Sequence, residues 1–466
     1  MPAIGSDTDT IAAIATPRGL GGIGVIRISG DRALAVVRTL FRPVRGDTYD
    51  PKRSHSLTHG HIRVPSTGEV VDEVLVAYFR PPRTYTGEQL LEVSTHGGDV
   101  VLRTVLSLLC EHGARMANPG EFSLRAFLNG RIDLAQAEAV ADVIHAKTQM
   151  SLRAAAGQLT GSLSREVGAV RRDLIGVLAE VEAAIDFPED DLDLVPNVEL
   201  AARARDASER LRKLLGEAHR GRYVRDGLRV AILGKPNVGK SSLLNALLRE
   251  DRAIVTEFPG TTRDAIEEIV DVDGVPIRLT DTAGMRDSSD PVEREGVARS
   301  RRHAEAADLL LIVLDVSRPL DADDHALLER SVGRPRMLLL NKTDLPSRWD
   351  ETALPRNVRE SAAALPLSVK TGDGIEDLTH ALAAEALGGN ALDAEPPLVT
   401  NVRHEAALRD ADVALGHALA SLDGAWSPEF VAVDLRGALD ALGLIVGETA
   451  SDEILDAIFS QFCIGK

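Results

Sequence analysis

The stretch that decides the fold is Val230–Leu248, "VAILGKPNVGKSSLLNALL". Its apolar start reads as a buried strand, and "SSLLNALL" has the texture of a helix. Between them Gly234–Ser241, "GKPNVGKS", fits G-x-x-x-x-G-K-[ST] in the strand-to-helix setting that this pattern requires. The physical reading is a phosphate cradle. Glycines let backbone N–H groups curl around phosphate oxygens, and the helix N-terminus adds partial positive charge. Lys240 brings a full charge to the β- and γ-phosphates, and the Ser241 hydroxyl is placed to ligate Mg2+. Asn237, Val238, Gly239, Lys240, Ser241 and Ser242 are the loop residues expected at the nucleotide.

Working outward, "NKTD", Asn341–Asp344, ends the apolar run "RMLLL", and carboxyl ends of strands are where open α/β sheets bind ligands. Asp344 can accept both N–H groups on the edge of guanine, which adenine does not offer, so the nucleotide expected is GTP. Lys342 and Thr343 sit in the same loop. "LSVKTGDG" follows the last strand, where Ser368, Val369 and Lys370 could flank the base. "DTAG" follows "IRLT": Asp281 can hold the magnesium's water shell, the Gly284 amide can sense the γ-phosphate, and Thr282 and Ala283 lie between. The segment Thr256, Glu257, Phe258, Pro259, Gly260, Thr261, Thr262 occupies the place of a switch loop, with Thr262 as a second hydroxyl ligand to Mg2+. Each tetrapeptide alone is weak; their order and spacing on one sheet is strong.

One position is informative by what it lacks. Many GTPases place glutamine after D-x-x-G to orient the attacking water. Here the residue is Met285, which offers no useful hydrogen bond. Glu293 in "DPVEREG" is the nearest carboxylate on a plausible switch loop. On the residues alone it is either a group acting on that water or a solvated loop charge.

Three textures follow one another. At 466 residues the chain has room for about two to four domains. Residues 9 to about 125 mix short β-rich runs such as "GVIRISG" and "VDEVLVAYFR" with turns, and only "DVVLRTVLSLLCEHGA" has helical texture, an α+β pattern. Helical periodicity follows, with Leu134, Ala137, Val140, Ala141 and Ile144 at i, i+3, i+4 spacing, up to "EAHRGRY", broken by the acidic "DFPEDDLDL". Near-continuous apolar strands then alternate with helices from Gly227 to about residue 386, the pattern of a parallel sheet. Helices resume after "GGNALDAEPP". The expected domains are 1–128 (α+β), 129–226 (first helical part), 227–388 (P-loop α/β domain) and 389–466 (second helical part), so the α/β domain interrupts a helical one. Gly19–Gly24 fits G-x-G-x-x-G, but a strand follows it instead of a helix, so it reads as a turn and not as a dinucleotide site.

Composition narrows the class. The net charge of −18 repels nucleic acid on average, so RNA contact needs a local basic patch or a partner. Two cysteines, Cys110 and Cys463, make neither a disulfide framework nor a zinc site, as in a reducing cytoplasm. No signal peptide and no membrane span is expected. The terminal Cys463-Ile464-Gly465-Lys466 has the length of a prenylation box, but lacks an upstream polybasic run and carries glycine at an aliphatic position.

Taken together, "GKPNVGKSSLLNAL", "PGTTRD", "DTAGMR", "VEREG" and "NKTD" inside a helical domain, with "FCIGK" at the end, closely resemble the TrmE/MnmE family of tRNA-modification GTPases. "DTIAAIATPRGLGGIGVIRISG", "TYTGEQLLEVSTHGG" and "NPGEFSLRAFLNGRIDLAQAEA" look like its folate-binding N-terminal domain. The resemblance covers nearly the whole chain.

What the resemblance implies is specific. The N-terminal domain would dimerise and bind 5-formyl- or 5,10-methylene-tetrahydrofolate, with Arg27, Glu88, Arg131 and Lys466 at the matching positions; Arg131 stands where some members carry lysine. The G domains would dimerise across K+, held by the Asn237 side chain and the backbone oxygens of Thr256, Phe258 and Thr261, in the role of an arginine finger. Glu293 matches the family's catalytic glutamate, and Arg286 a switch-loop arginine. The implied activity is potassium-stimulated GTP hydrolysis in the cytoplasm, with the FAD-dependent partner MnmG (GidA) in a heterotetramer or larger complex. It would help install a (carboxymethyl)aminomethyl group at C5 of the wobble uridine of certain tRNAs. Cys463 is either a thiol reaching the one-carbon carrier or a small packing residue. Two other readings make distinct demands. A ribosome-assembly GTPase should carry a basic RNA-binding domain; a filament-forming GTPase should lack the folate-like domain and the "CIGK" tail.

Overall fold

The structure is a computed structural model that describes residues 9–17, 19–46, 48–186, 195–249, 267–281, 305–389, 396–424 and 427–466. The chain divides into two compact units, Met1–Ala141 with Asp440–Lys466, and Asp142–Leu439.

In the first unit, alternating apolar residues build strands β1 (Ile11–Ile14), β2 (Gly21–Ser29), β3 (Phe41–Pro43), β4 (Ser56–Arg63), β5 (Val70–Phe79), β6 (Leu90–Gly97) and β7 (Arg115–Met116). Their order is β3-β4-β5-β6-β2-β1-β7. All pairs are antiparallel except β1 with β7. One face is dry: Ile26 and Ile28 of β2, Val74 and Val76 of β5 and Leu91 and Val93 of β6 are buried with Leu102, Val105 and Leu109. The last three belong to helix α2 (Asp99–Glu111), the helix legible in the sequence. Burying each such side chain is worth about 1.5–3 kcal/mol.

Helix α1 (Ala33–Leu40) packs on the same core and corrects the expectation of a single helix before residue 125. It has only eight residues, no side-chain cap and no acidic residue in its first turn, yet Ala33, Val36, Val37 and Leu40 form one buried stripe. Packing makes this helix, not propensity. A further helix, α3, covers Glu121–Leu128. The turn expected at Gly19–Gly24 ends earlier: Gly21 already opens β2, with an irregular register between Gly21 and Ile23.

Helix α4 (Leu134–His145) is followed by α5 (Gln149–Leu159), α6 (Ser162–Asp186) and α7 (Asn197–Asp226). α6 buries Leu163, Val167, Val170, Leu174, Val177 and Val181, and α7 buries Leu200, Ala204, Ala207, Leu211, Leu214 and Ala218. Both stripes advance in steps of four and three, the spacing of a helix–helix seam. The later helix Val402–Asp423 packs on α7, where Ser208 Oγ donates to Asp412 Oδ1 at 2.9 Å and Arg205 pairs with Asp423 at 2.5 Å. Helices from before and after the α/β segment thus share one bundle.

That α/β segment holds β8 (Leu228–Leu233), helix α8 (Lys240–Arg249), β9 (Glu267–Val272), β10 (Val275–Asp281), β11 (Leu309–Asp315), β12 (Arg336–Asn341) and β13 (Ala363–Leu367). The order is β13-β12-β11-β8-β10-β9, with only β9 antiparallel. Both faces are covered, with Val230, Ile232, Leu311 and Val313 in one core and Ile312, Leu314, Leu338 and Leu340 in another. Double burial is why these strands read as unbroken apolar runs. The β9–β10 turn rests on α5, where Thr148 Oγ1 donates to the Gly274 carbonyl at 2.5 Å. Among the described residues no helix is long and apolar enough to cross a membrane.

Candidate functional site

The carboxyl ends of β8, β11, β12 and β13 converge on one edge of the six-stranded sheet. β8 runs into the phosphate loop, and α8 begins at Lys240. Asn237 takes a left-handed backbone conformation at φ 65°, and Gly239 follows at φ 108°. A Cβ on Gly239 would stand 2.4 Å from Asn341 Nδ2, so only glycine lets the two loops approach. The Lys240 ammonium folds over the loop, donating to the carbonyls of Gly234 at 2.9 Å and Lys235 at 2.8 Å. Ser241 and Ser242 are exposed on the first turn of α8, and Val238 is buried beneath the loop.

Asn341 joins the parts. It is 2% exposed; its Nδ2 donates to the Val238 carbonyl at 2.7 Å and its Oδ1 accepts the Val369 amide at 3.1 Å. Asp344 is held from the other side, with Ser368 Oγ donating to its Oδ1 at 2.8 Å and the Lys370 ammonium 3.8 Å from its Oδ2. The Thr343 amide reaches the Leu367 carbonyl at 3.3 Å. Gly239, Ser242, Asn341, Asp344, Val369 and Lys370 line an open cavity of 530 Å³. An aspartate fixed at its rim can accept the paired N–H groups of a guanine.

Lys342, at φ 71°, sends its ammonium to Asp315 Oδ2 at 2.6 Å. Burial opposes ionisation of Asp315, but bonds from Lys342 and Ser317 outweigh it and lower its pKa. Sequence reasoning missed Asp315, though its signal was present: a carboxylate closing the apolar run of β11.

Of the two hydroxyls expected to ligate magnesium, Ser241 is described, exposed on the first turn of α8. The other expected ligands and switch residues lie outside the described residues: Thr256, Glu257, Phe258, Pro259, Gly260, Thr261, Thr262, Thr282, Ala283, Gly284, Arg286 and Glu293. Asp281 closes β10, on the strand beside β8. Among the described residues no group of three or more His, Cys, Asp and Glu is placed to hold a metal.

In the first unit the chain's last residues fold back onto α3. The Gly120 amide donates to the Cys463 carbonyl at 3.4 Å and the Phe122 amide to the Lys466 carbonyl at 3.2 Å, so the tail caps the helix's first turn. Phe459 and Phe462 are buried and anchor it. Gly465 has φ 96°, and a Cβ there would meet the Ile14 carbonyl at 2.5 Å. Cys463 itself is a free, exposed thiol, so packing is done by its phenylalanine neighbours.

This docking brings Lys466 to Arg27. Arg27 Nη1 donates to the Gly465 carbonyl at 3.3 Å, and its Nε and Nη2 bind Glu92 Oε1 at 2.9 and 2.8 Å. Its guanidinium lies 5.1 Å from the Tyr85 ring centroid and 5.8 Å from that of Phe122. Burial, aided by Arg27, lowers the pKa of Lys466. Arg27 and Ser29 share one face of β2, and Ser29 Oγ donates to Glu88 Oε2 at 2.7 Å. Three of the four expected folate residues are therefore grouped around one end of β2 and the tail. Arg131 follows α3 with an exposed side chain, and nothing described joins it to the other three.

Sequence reasoning missed the frame around this group. Arg125, 8% exposed, binds Asp9 Oδ1 at 2.5 Å, Glu121 Oε1 at 3.0 Å and Glu88 at 3.3 Å. Arg115 binds Asp9 and Glu121 at 2.5 Å each. Burial works against the charge on Asp9 and Glu121, yet these arginines hold both carboxyls below their ordinary pKa.

Known proteins match this arrangement. The model for the MnmE helical domain matches residues 134–463, and that for the GTP-binding protein TrmE N-terminus matches residues 10–131. The tRNA modification GTPase MnmE of Heliobacterium modesticaldum is 47% identical over 98% of this chain and 99% of its own. Those of Lactiplantibacillus plantarum (46%, 99% of each) and Thermoanaerobacter pseudethanolicus (44%, 98% and 99%) are similarly close. The chain belongs to the MnmE family of tRNA modification GTPases. The match to the MnmE helical model runs from the start of α4 to Cys463 and spans the α/β segment. The G domain of the T. maritima FeoB iron transporter is 26% identical, covering 34% of this chain and 98% of that one, with a TM-score of 0.24.

Proposed function

We propose that this MnmE-family chain hydrolyses GTP and uses the cycle in modifying tRNA at C5 of the wobble uridine. The observation that carries the GTP reading is the cavity where the Ser368-bound Asp344 and the Asn341-tied phosphate loop meet. Lys240 and the loop amides would hold the phosphates, and Ser241, Thr262 and Asp281 the Mg2+. K+ bound by Asn237 with Thr256, Phe258 and Thr261 would neutralise charge developing at the β- and γ-phosphates, and Glu293 would direct water where Met285 cannot. Arg286 would support the same switch. The domain reading remains 1–128, 129–226, 227–388 and 389–466.

The one-carbon unit would come from a tetrahydrofolate held at Arg27, Glu88 and Lys466, with Arg131, just beyond α3, as the fourth expected contact and Cys463 presented by the tail. Arg27 flanked by two aromatic rings and a partly buried Lys466 suit a flat ring system with an acidic tail. The reaction would take place in the cytoplasm, in a homodimer working with the FAD-dependent MnmG.

The test is hydrolysis by the purified full chain, with GTP or ATP and with K+ or Na+ as the salt. Turnover of GTP alone, faster in K+, is expected. Equal rates in both salts would remove potassium from the mechanism, and no GTP turnover would overturn the reading.

A further inference from the structure

A chain of net charge −18 needs a local concentration of cations to hold RNA. Residues 38–53 and 80–83 carry seven cations against two acids, a balance of +5. The cations are Arg38, Arg42, Arg45, Lys52, Arg53, Arg80 and Arg83, and every one is exposed. The fold joins the two segments, because Ser54 Oγ accepts the Arg80 amide at 2.9 Å and the His55 amide reaches the Tyr78 carbonyl at 2.7 Å.

Few of these charges are used internally. Asp50 takes Arg38 Nη2 at 2.6 Å and also binds the Lys52 ammonium. Arg42, Arg45, Arg53, Arg80 and Arg83 have no carboxylate partner among the described residues. Arg42 spends only Nη1, on the carbonyls of Arg38 at 2.9 Å and Phe41 at 3.0 Å, leaving Nε and Nη2 for an outside acceptor. Arg38 and Arg42 line an open hollow of 650 Å³ with Thr48, Tyr49 and Asp50. Its floor is rigid: Tyr49 is buried and packs edge-on against Phe41 at 4.9 Å.

We propose that this patch grips the phosphate backbone of the substrate tRNA; the proposal rests on the tRNA-modification reading above. Six of the seven cations are arginines, whose planar fork matches phosphate oxygens two at a time. Among the described residues of 38–53, Val44 is the only large hydrophobic one exposed, so an apolar peptide finds little purchase there. The patch also leads to the folate residues. Arg83 precedes Thr84, whose Oγ1 donates to the Glu88 carbonyl at 2.7 Å, so a strand held here lies beside the loop that carries Glu88.

The experiment compares the full chain with its Arg42→Glu/Arg45→Glu/Arg53→Glu variant, reading fluorescent tRNA binding across a salt series. The variant should bind at least about tenfold more weakly at low salt, and the slope of log affinity against log salt should shrink by roughly 0.7–0.9 for each phosphate that is no longer neutralised. GTP hydrolysis without tRNA should be unchanged, which shows that the variant is folded, and the matching lysine triple should keep most of the binding. Unchanged affinity and slope overturn the proposal, as does a wild-type chain that binds no tRNA. If the glutamate triple binds tRNA normally yet fails to modify it in cells, the patch serves an acidic protein partner and the RNA proposal fails. The deletion strain separates the two levels: intact wobble uridine modification there overturns the tRNA reading itself.

Discussion

Asn341 donates to the Val238 carbonyl at 2.7 Å and so ties the end of β12 to the Gly234–Ser241 loop. Its other end accepts the Val369 amide, so one carboxamide aligns three loops. Asn341→Ala leaves buried groups unpaired, at about 1–3 kcal/mol each. Nucleotide affinity should fall roughly 10- to 100-fold with the sheet intact, measured by fluorescent GDP titration. Asn341→Asp should recover only the part owed to Val369, because a carboxylate cannot donate to Val238.

In the proposed reading, base identity would rest on Asp344. Asp344→Asn turns one acceptor into a donor and matches a base with a carbonyl in place of the 2-amino group. GTP turnover should drop steeply while xanthosine triphosphate becomes the better substrate. Competition between the two nucleotides measures it, and a retained preference for GTP would remove Asp344 from base recognition.

Tail docking depends on Gly465. Gly465→Ala sets a Cβ against the Ile14 carbonyl at a left-handed φ, at a cost of about 1–3 kcal/mol. The tail should lift from α3, and tetrahydrofolate binding should weaken in step with faster proteolysis of the last residues. GTP turnover by the separate G domain site should stay unchanged.

The acid cluster gives a pH signature. Asp9 and Glu121 have native pKa values below their ordinary 3.8 and 4.5. Their stabilisation is therefore complete above those values and lost as pH falls through the lower native ones. Urea midpoints for the full chain should decline below about pH 4.5. Arg125→Met should lower stability by about 1–3 kcal/mol at neutral pH and flatten that decline, since Asp9 and Glu121 each then keep only Arg115 as a partner.

How much of this was legible in sequence follows from where each signal lives. The G domain announced itself because Gly234–Ser241, Asn341–Asp344 and Ser368–Lys370 are contiguous and each closes an apolar strand. Both helical stretches were legible because the stripes of α6 and of Val402–Asp423 repeat over many turns. Helix α1 was not, because eight residues hold only two turns and its stability is tertiary. The Arg125 cluster was hidden for the same kind of reason: Asp9, Glu88 and Glu121 meet through the sheet and have no shared motif. Cys463 was undecided in sequence, since exposure depends on how Phe459, Phe462 and Gly465 seat the tail.

The most direct measurement of the central claim is nucleoside mass spectrometry of bulk tRNA from wild-type cells, cells lacking this chain, and cells carrying Glu293→Ala. Loss of C5-modified wobble uridine in both mutant strains is the expected result, and it ties the modification to GTP hydrolysis. An unchanged uridine profile in the strain lacking the chain would contradict it.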